Sequence, residues 1–134
     1  MAKEAKDLIL IADDDPVICG ALSAGLRARG FAVAVAVDVV QTMMAIRRTP
    51  PAAMILDIMM PGGTGLEVLR RIKALSSMQG IPVLAVSAST DGTLPEQTAA
   101  LGADAFLHKP LDLDEVFRTL CRLLGRPLEP PPTI

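Results

Sequence analysis

The chain has 134 residues, 51% of them hydrophobic and 21% charged, which suits one domain with a real core and excludes a disordered chain. Its longest strictly apolar run, Phe31 to Val37, falls far short of the ~20 residues that cross a bilayer, so no membrane span is expected. Thirteen basic against fifteen acidic side chains, with Trp and Tyr absent, give no electrostatic footprint or stacking platform, so nucleic acid is not expected among the partners.

In chain order, Leu8–Ala12 is a short apolar run bounded by breakers and is predicted as a buried strand. Ile18, Leu22 and Leu26 then recur every four residues, entered at Pro16 and stopped at Gly30, which predicts a helix. A second strand is predicted over Ala32–Val37 and a helix of Val, Met and Ala over Asp38–Arg48. Ala53–Leu56 is the third strand. It is followed by the stripe Leu66, Leu69, Ile72 and Leu75, whose solvent side carries Arg70, Arg71 and Lys73. Pro82–Ser87 is the fourth strand, and Asp91–Leu101 a helix interrupted by Gly92 and Pro95. Asp104–Leu107 is a short fifth strand. Leu113, Val116, Phe117, Leu120 and Leu124 mark the last helix, opened by Asp112 with Glu115 in a capping-box-like pair.

Five alternations of strand and helix, with strands lacking polar alternation, predict an α/β domain on a parallel sheet covered on both faces. The domain takes residues 1–125, and 126–134 is a Pro-rich tail. The mixed-charge start Met1 to Asp7 is unlike a signal peptide, which points to a cytoplasmic protein. Cys19 and Cys121 match neither a disulfide framework nor a zinc pattern, and both fall on apolar helix faces as buried free thiols.

In a doubly wound sheet, ligands bind outside the carboxyl ends of the strands, so the polar residues there carry the chemistry. The first strand ends in Asp13-Asp14-Asp15, the third in Asp57 and the fourth in Ser87; Lys109-Pro110 follows the fifth. Gathered carboxylates call for a hard cation, and Mg²⁺ suits a site that supplies few protein oxygens and leaves positions for phosphate. An aspartate can attack phosphorus, while an ammonium and a hydroxyl stabilise charge on the transferred group.

At these residues the chain resembles the receiver domain of two-component response regulators. The segments that carry the likeness are Leu8-Ile-Leu-Ile-Ala-Asp-Asp-Asp-Pro16, Ile55-Leu-Asp-Ile-Met-Met-Pro-Gly62, Val86-Ser-Ala88 and Phe106-Leu-His-Lys-Pro110. Four motifs in order, each at a predicted strand end, are far more specific than any one alone. The resemblance implies a flavodoxin-like (βα)5 sheet in strand order 2-1-3-4-5. It also implies that Asp57 accepts the phosphoryl group, that Asp14 ligates Mg²⁺ directly and Asp13 through water, and that the Met59 carbonyl is a further ligand. Ser87 and Lys109 would contact the phosphoryl oxygens, Phe106 would be the switch ring, and the Lys109–Pro110 bond would be cis. The donor would be a histidine kinase or histidine phosphotransfer protein, and the output a downstream protein target. Such a module is not an enzyme beyond its own phosphorylation and slow dephosphorylation. Two departures stand out: Thr64 where many members carry Asp, and Pro95 in the fourth helix.

Rival readings remain at this point. The chain could be a receiver piece of a hybrid kinase or longer regulator. An aspartyl-nucleophile phosphatase would want an acid two residues past Asp57, where Met59 stands. A flavin module would want a Ser/Thr/Gly-rich phosphate loop after the first strand and a Trp or Tyr to stack, and the sequence has neither.

Overall fold

The computed structural model describes residues 6–127, so nearly all of the Pro-rich tail expected at 126–134 lies outside the described residues. Five parallel strands form one sheet: β1 (Leu8–Ala12), β2 (Ala32–Ala36), β3 (Ala53–Asp57), β4 (Val83–Ser87) and β5 (Ala105–His108). Their order is β2-β1-β3-β4-β5, the flavodoxin-like arrangement expected. Between them run α1 (Pro16–Ala28), α2 (Val39–Arg48), α3 (Gly65–Ala74) and α4 (Leu94–Ala100), and α5 (Leu113–Leu123) is the last element among the described residues.

The unbroken apolar strands become intelligible once both faces are covered. Successive strand side chains point to opposite faces. Leu10 and Ala12 of β1 join Met54, Leu56 and Val83 in a core with Val39, Met43 and Ile46 of α2 and Val68, Leu69 and Ile72 of α3. Their neighbours Ile9 and Ile11 join Ile55, Leu84 and Val86 in a second core with Leu22 and Leu26 of α1 and Val116 and Leu120 of α5. Cys19 and Cys121 sit in this second core as free, buried thiols.

Helix ends follow local chemistry. Asp15 accepts from the amides of Val17 and Ile18, and Asp38 from that of Gln41, each filling an orphan donor of a first turn. Asp112 accepts from Asp114 and Glu115, while the return bond from the Glu115 side chain that a full capping box requires is not made among the described residues. Pro95 explains why α4 begins late. A proline is tolerated in a first turn but not in a helix interior, so the helix starts at Leu94 and leaves Asp91 and Gly92 in the preceding turn. Pro82 lies just outside β4, where its carbonyl accepts from Met54.

One element has no counterpart in the sequence reading. Met59–Met60 pairs antiparallel with Gly63–Thr64 in a small hairpin turned at Pro61 and Gly62, with Gly62 and Gly63 both at positive φ. It is too short for periodicity to reveal. Thr64 ends it and caps α3 by accepting from the Glu67 amide at 3.3 Å, so the hydroxyl does there what an aspartate would.

Candidate functional site

Register sets the site. Ala12 pairs with Leu56, Asp57 with Val86 and Ser87 with His108, so Asp13 and Asp57 emerge side by side at the carboxyl edge of the sheet. Ser87 and Lys109 follow on the neighbouring strands. Asp13, Asp14 and Asp57 bring one carboxylate oxygen each within 4.8 Å of one another. Asp13 and Asp57 are buried and Asp14 is exposed. Asp15 is not part of the group, since its carboxylate is spent on capping α1.

Lys109 bridges the two buried acids. Its Nζ lies 2.8 Å from Asp13 Oδ2 and 3.0 Å from Asp57 Oδ2. Burial alone would lower the lysine's pKa, but the attraction of the Asp13 and Asp57 carboxylates prevails and holds it above the ordinary value. Burial pushes the Asp57 carboxyl up from the usual range, against the opposing pull of the Met59 amide and Lys109. The Met59 amide donates to Asp57 Oδ1 at 3.0 Å. Each Asp57 oxygen is thus held in place by one donor.

Asp13 is held from several sides. Its Oδ1 accepts from the Asp15 amide at 2.9 Å, its own amide donates to Ala36 O, and its carbonyl accepts from Cys19 Sγ at 3.2 Å. Its Oδ2 is buried and, despite the nearby ammonium, has no hydrogen-bond partner of acceptable geometry. A buried carboxylate oxygen that has an ion-pair partner but no well-directed hydrogen bond, set among three acids and one lysine, is what a divalent cation would satisfy. The donor set, all oxygen with one exposed acid at the mouth, fits Mg²⁺.

Ser87 is fully buried at the end of β4, and its Oγ accepts from the Ser89 amide at 3.0 Å. The hydroxyl proton has no acceptor among the described residues, which leaves it able to donate. The Lys109 amide donates to Ser87 O, and the Lys109–Pro110 bond is cis. Phe106 lies one strand away, half-buried with Ile58, Ala85 and Leu94 and edge-on to His108 at 4.9 Å. Met59 holds Asp57 through its amide, while the residue itself is 63% exposed.

Gly65 is the functional residue that sequence reasoning passed over. A Cβ there would meet Asp57 O at 2.4 Å and Ile58 Cα at 2.7 Å, so only glycine lets α3 start against the end of β3. The glycine-rich run Gly62-Gly63-Thr64-Gly65 was the available signal. Gly65→Ala is expected to lower stability by about 1–3 kcal/mol, as overpacking against backbone does, and a thermal melt measures it.

Comparison with known proteins settles the family. The description "Response regulator receiver domain" matches residues 9–120. The chain belongs to the response regulator receiver domain family. DNA-binding response regulator MtrA of Mycolicibacterium smegmatis is 37% identical over 123 residues, 91% of this chain and 53% of that protein. The probable transcriptional regulatory protein TcrX of Mycobacterium tuberculosis is 34% identical over 120 residues, 88% of this chain and 50% of its own length. This receiver chain therefore spans about half the length of the curated relatives it matches. Among solved structures, a putative response regulator from Chloroflexus aurantiacus superposes with TM-score 0.86 at 26% identity, covering 91% of this chain and all of that one. The chemotaxis response regulator CheY4 of Vibrio cholerae gives 0.83 at 26%, covering 90% and 100%.

These relatives correct one expectation. Excluding nucleic acid from the partners does not stand, because relatives of this receiver are named as DNA-binding and transcriptional regulators. The error was physical. A net charge summed over 134 residues describes a stretch about half as long as those proteins and carries no information on the rest. As to membranes, no helix among the described residues is long and apolar enough to cross one.

Proposed function

We propose that this receiver is a phosphorylation-dependent switch whose phosphoacceptor is Asp57. The observation that carries the reading is the Lys109 ammonium set between Asp13 and Asp57, 2.8 and 3.0 Å from their Oδ2 atoms. An Asp57 oxygen attacks the phosphorus of a phosphohistidine on a histidine kinase or histidine phosphotransfer protein. The P–N bond breaks, an acyl phosphate forms, and the imidazole leaves and takes up a proton. Lys109 neutralises charge on the transferred group and the free hydroxyl of Ser87 donates to it. Asp14, Asp13, Asp57 and the Met59 carbonyl would hold Mg²⁺, which when bound offsets the negative charge of the phosphoryl oxygens.

This is not turnover on a released substrate, and the protein acts as a signal carrier in the cytoplasm rather than as an enzyme. A phosphatase reading is disfavoured by Met59, because an exposed thioether cannot shuttle a proton where such enzymes place a second acid. A longer regulator with this receiver as one part is favoured by the half-length match to DNA-binding relatives. Its output would then include control of transcription.

Phosphotransfer from autophosphorylated histidine kinases tests the reading. Label is expected to pass to the wild-type chain and not to Asp57→Asn, and equal labelling of both would move the nucleophile elsewhere. Ser87→Ala should still accept phosphate, more slowly, while a beryllofluoride mimic no longer shifts the ring resonances of Phe106 as it does in the wild type. Unchanged Phe106 resonances in the wild type with the mimic bound would remove that ring from the switch.

A further inference from the structure

β2 is an outer strand of the sheet, paired with β1 alone among the described residues. Such an edge offers unpaired amides and carbonyls as a template for another strand. Charge does nothing to discourage this here, since Phe31-Ala-Val-Ala-Val-Ala-Val37 contains no Lys, Glu or Pro. Val35 and Val37 are also exposed.

Along a strand, the amide and carbonyl of one residue point to one side and those of the next residue to the other. Ala32 N donates to Asp7 O and Ala36 O accepts from Asp13 N, so the even-numbered residues face β1. Val33, Val35 and Val37 therefore turn their backbone groups outward. Two of these groups are already occupied by side chains. Arg27 Nη2 donates to Val33 O at 3.2 Å, and the Val37 amide donates to Gln41 Oε1 at 3.2 Å. Val35 has neither of its outward groups engaged among the described residues.

We propose that Arg27 and Gln41 hold this edge closed against strand pairing with a second copy of the chain. The position of the two caps is the argument. Antiparallel pairing about a two-fold axis at Val35 sets that residue opposite itself, so that the two copies exchange both N–H···O bonds there. Val33 then stands opposite Val37 of the other copy, and these two would also exchange two bonds. One of those, from the Val37 amide to Val33 O, is obstructed at both ends: Gln41 occupies the only donor, and the Arg27 guanidinium stands on the outward side of the acceptor. By symmetry the block occurs twice, and it brings two guanidinium groups of like charge toward the same seam. The edge is self-complementary in sequence and in free backbone groups, and closed by two side chains.

The test compares four forms of the full chain by sedimentation velocity and amide hydrogen exchange: wild type, Arg27→Ala with Gln41→Ala, that pair with Val35→Lys added, and Arg48→Ala. Every altered residue is exposed, and circular dichroism checks that each form is folded. The double variant is expected to reach twice the wild-type mass, with a dissociation constant lower by at least about tenfold. Exchange at the Val35 amide should slow as its concentration rises. Adding Val35→Lys should restore wild-type behaviour, and Arg48→Ala, which removes equal charge and leaves both caps in place, should resemble wild type. A double variant with wild-type mass and concentration-independent Val35 exchange would overturn the proposal. So would association that survives Val35→Lys or is matched by Arg48→Ala.

Discussion

Lys109→Met is expected to destabilise the protein at neutral pH by about 3–5 kcal/mol, the cost of leaving buried charges without their partner. Asp13 and Asp57 side chains are only 1% and 4% exposed, so water cannot replace the ammonium. The pH dependence follows from the directions of the shifts. Burial raises the folded Asp57 pKa above the ordinary value, so the folded state holds that proton more tightly than the unfolded chain does. The resulting stability is fully present below the ordinary carboxylate value and is lost as pH rises through the folded value. Without Lys109 that loss deepens. The deficit of the variant should therefore be largest near neutrality and shrink as pH falls through the carboxylate range. Lys109 itself is shifted upward, so its contribution in the wild type persists below the ordinary lysine value and fades only as pH rises through its raised one. Denaturant titrations of both proteins at several pH values measure this. A deficit independent of pH would mean that Lys109 matters for its packing rather than its charge.

The second large effect is the response to Mg²⁺. A ligand that binds only the folded state stabilises it by about 2.7 kcal/mol at a hundred times its dissociation constant. The wild-type melting temperature should rise accordingly with added Mg²⁺, and the rise should weaken in acid as protons compete for Asp57. Asp14 is the exposed acid of the trio, so Asp14→Ala should fold well yet lose the response. It should also melt slightly higher than wild type without added Mg²⁺, because three carboxylates then no longer repel around one lysine. A full Mg²⁺ response in Asp14→Ala would remove that residue from the ligand set.

How much of this was legible beforehand depends on the range of the interactions involved. The five strands were readable because each is a short apolar run between breakers, and the acids because they terminate those runs. β1 was read to the residue, from Leu8 to Ala12. Each of the other four strands shifted by a residue at one end or both, since periodicity cannot tell the last ladder bond from the first loop residue. Pro95 was recognised as a disturbance, but only the backbone showed that it sits in a first turn. Gly65 could not be assigned from sequence, because its reason is a 2.4 Å approach to a carbonyl from another element. The same holds for Cys19 against the Asp13 carbonyl and for the reach of Lys109 to the Asp13 carboxylate. Long-range backbone contacts leave no mark in local pattern. Net charge misled for the opposite reason, as a sum taken over a chain that spans half of its relatives.

The claim that Asp57 is the nucleophile is tested most directly by intact-mass measurement after incubation with a small-molecule phosphodonor and Mg²⁺. The wild-type chain is expected to gain one phosphoryl group, stable in acid and labile in base as an acyl phosphate is, and peptide mapping should place it on Asp57. Asp57→Asn should gain none. A phosphoryl group on the Asn variant, or one on the wild type that survives base, would contradict the account.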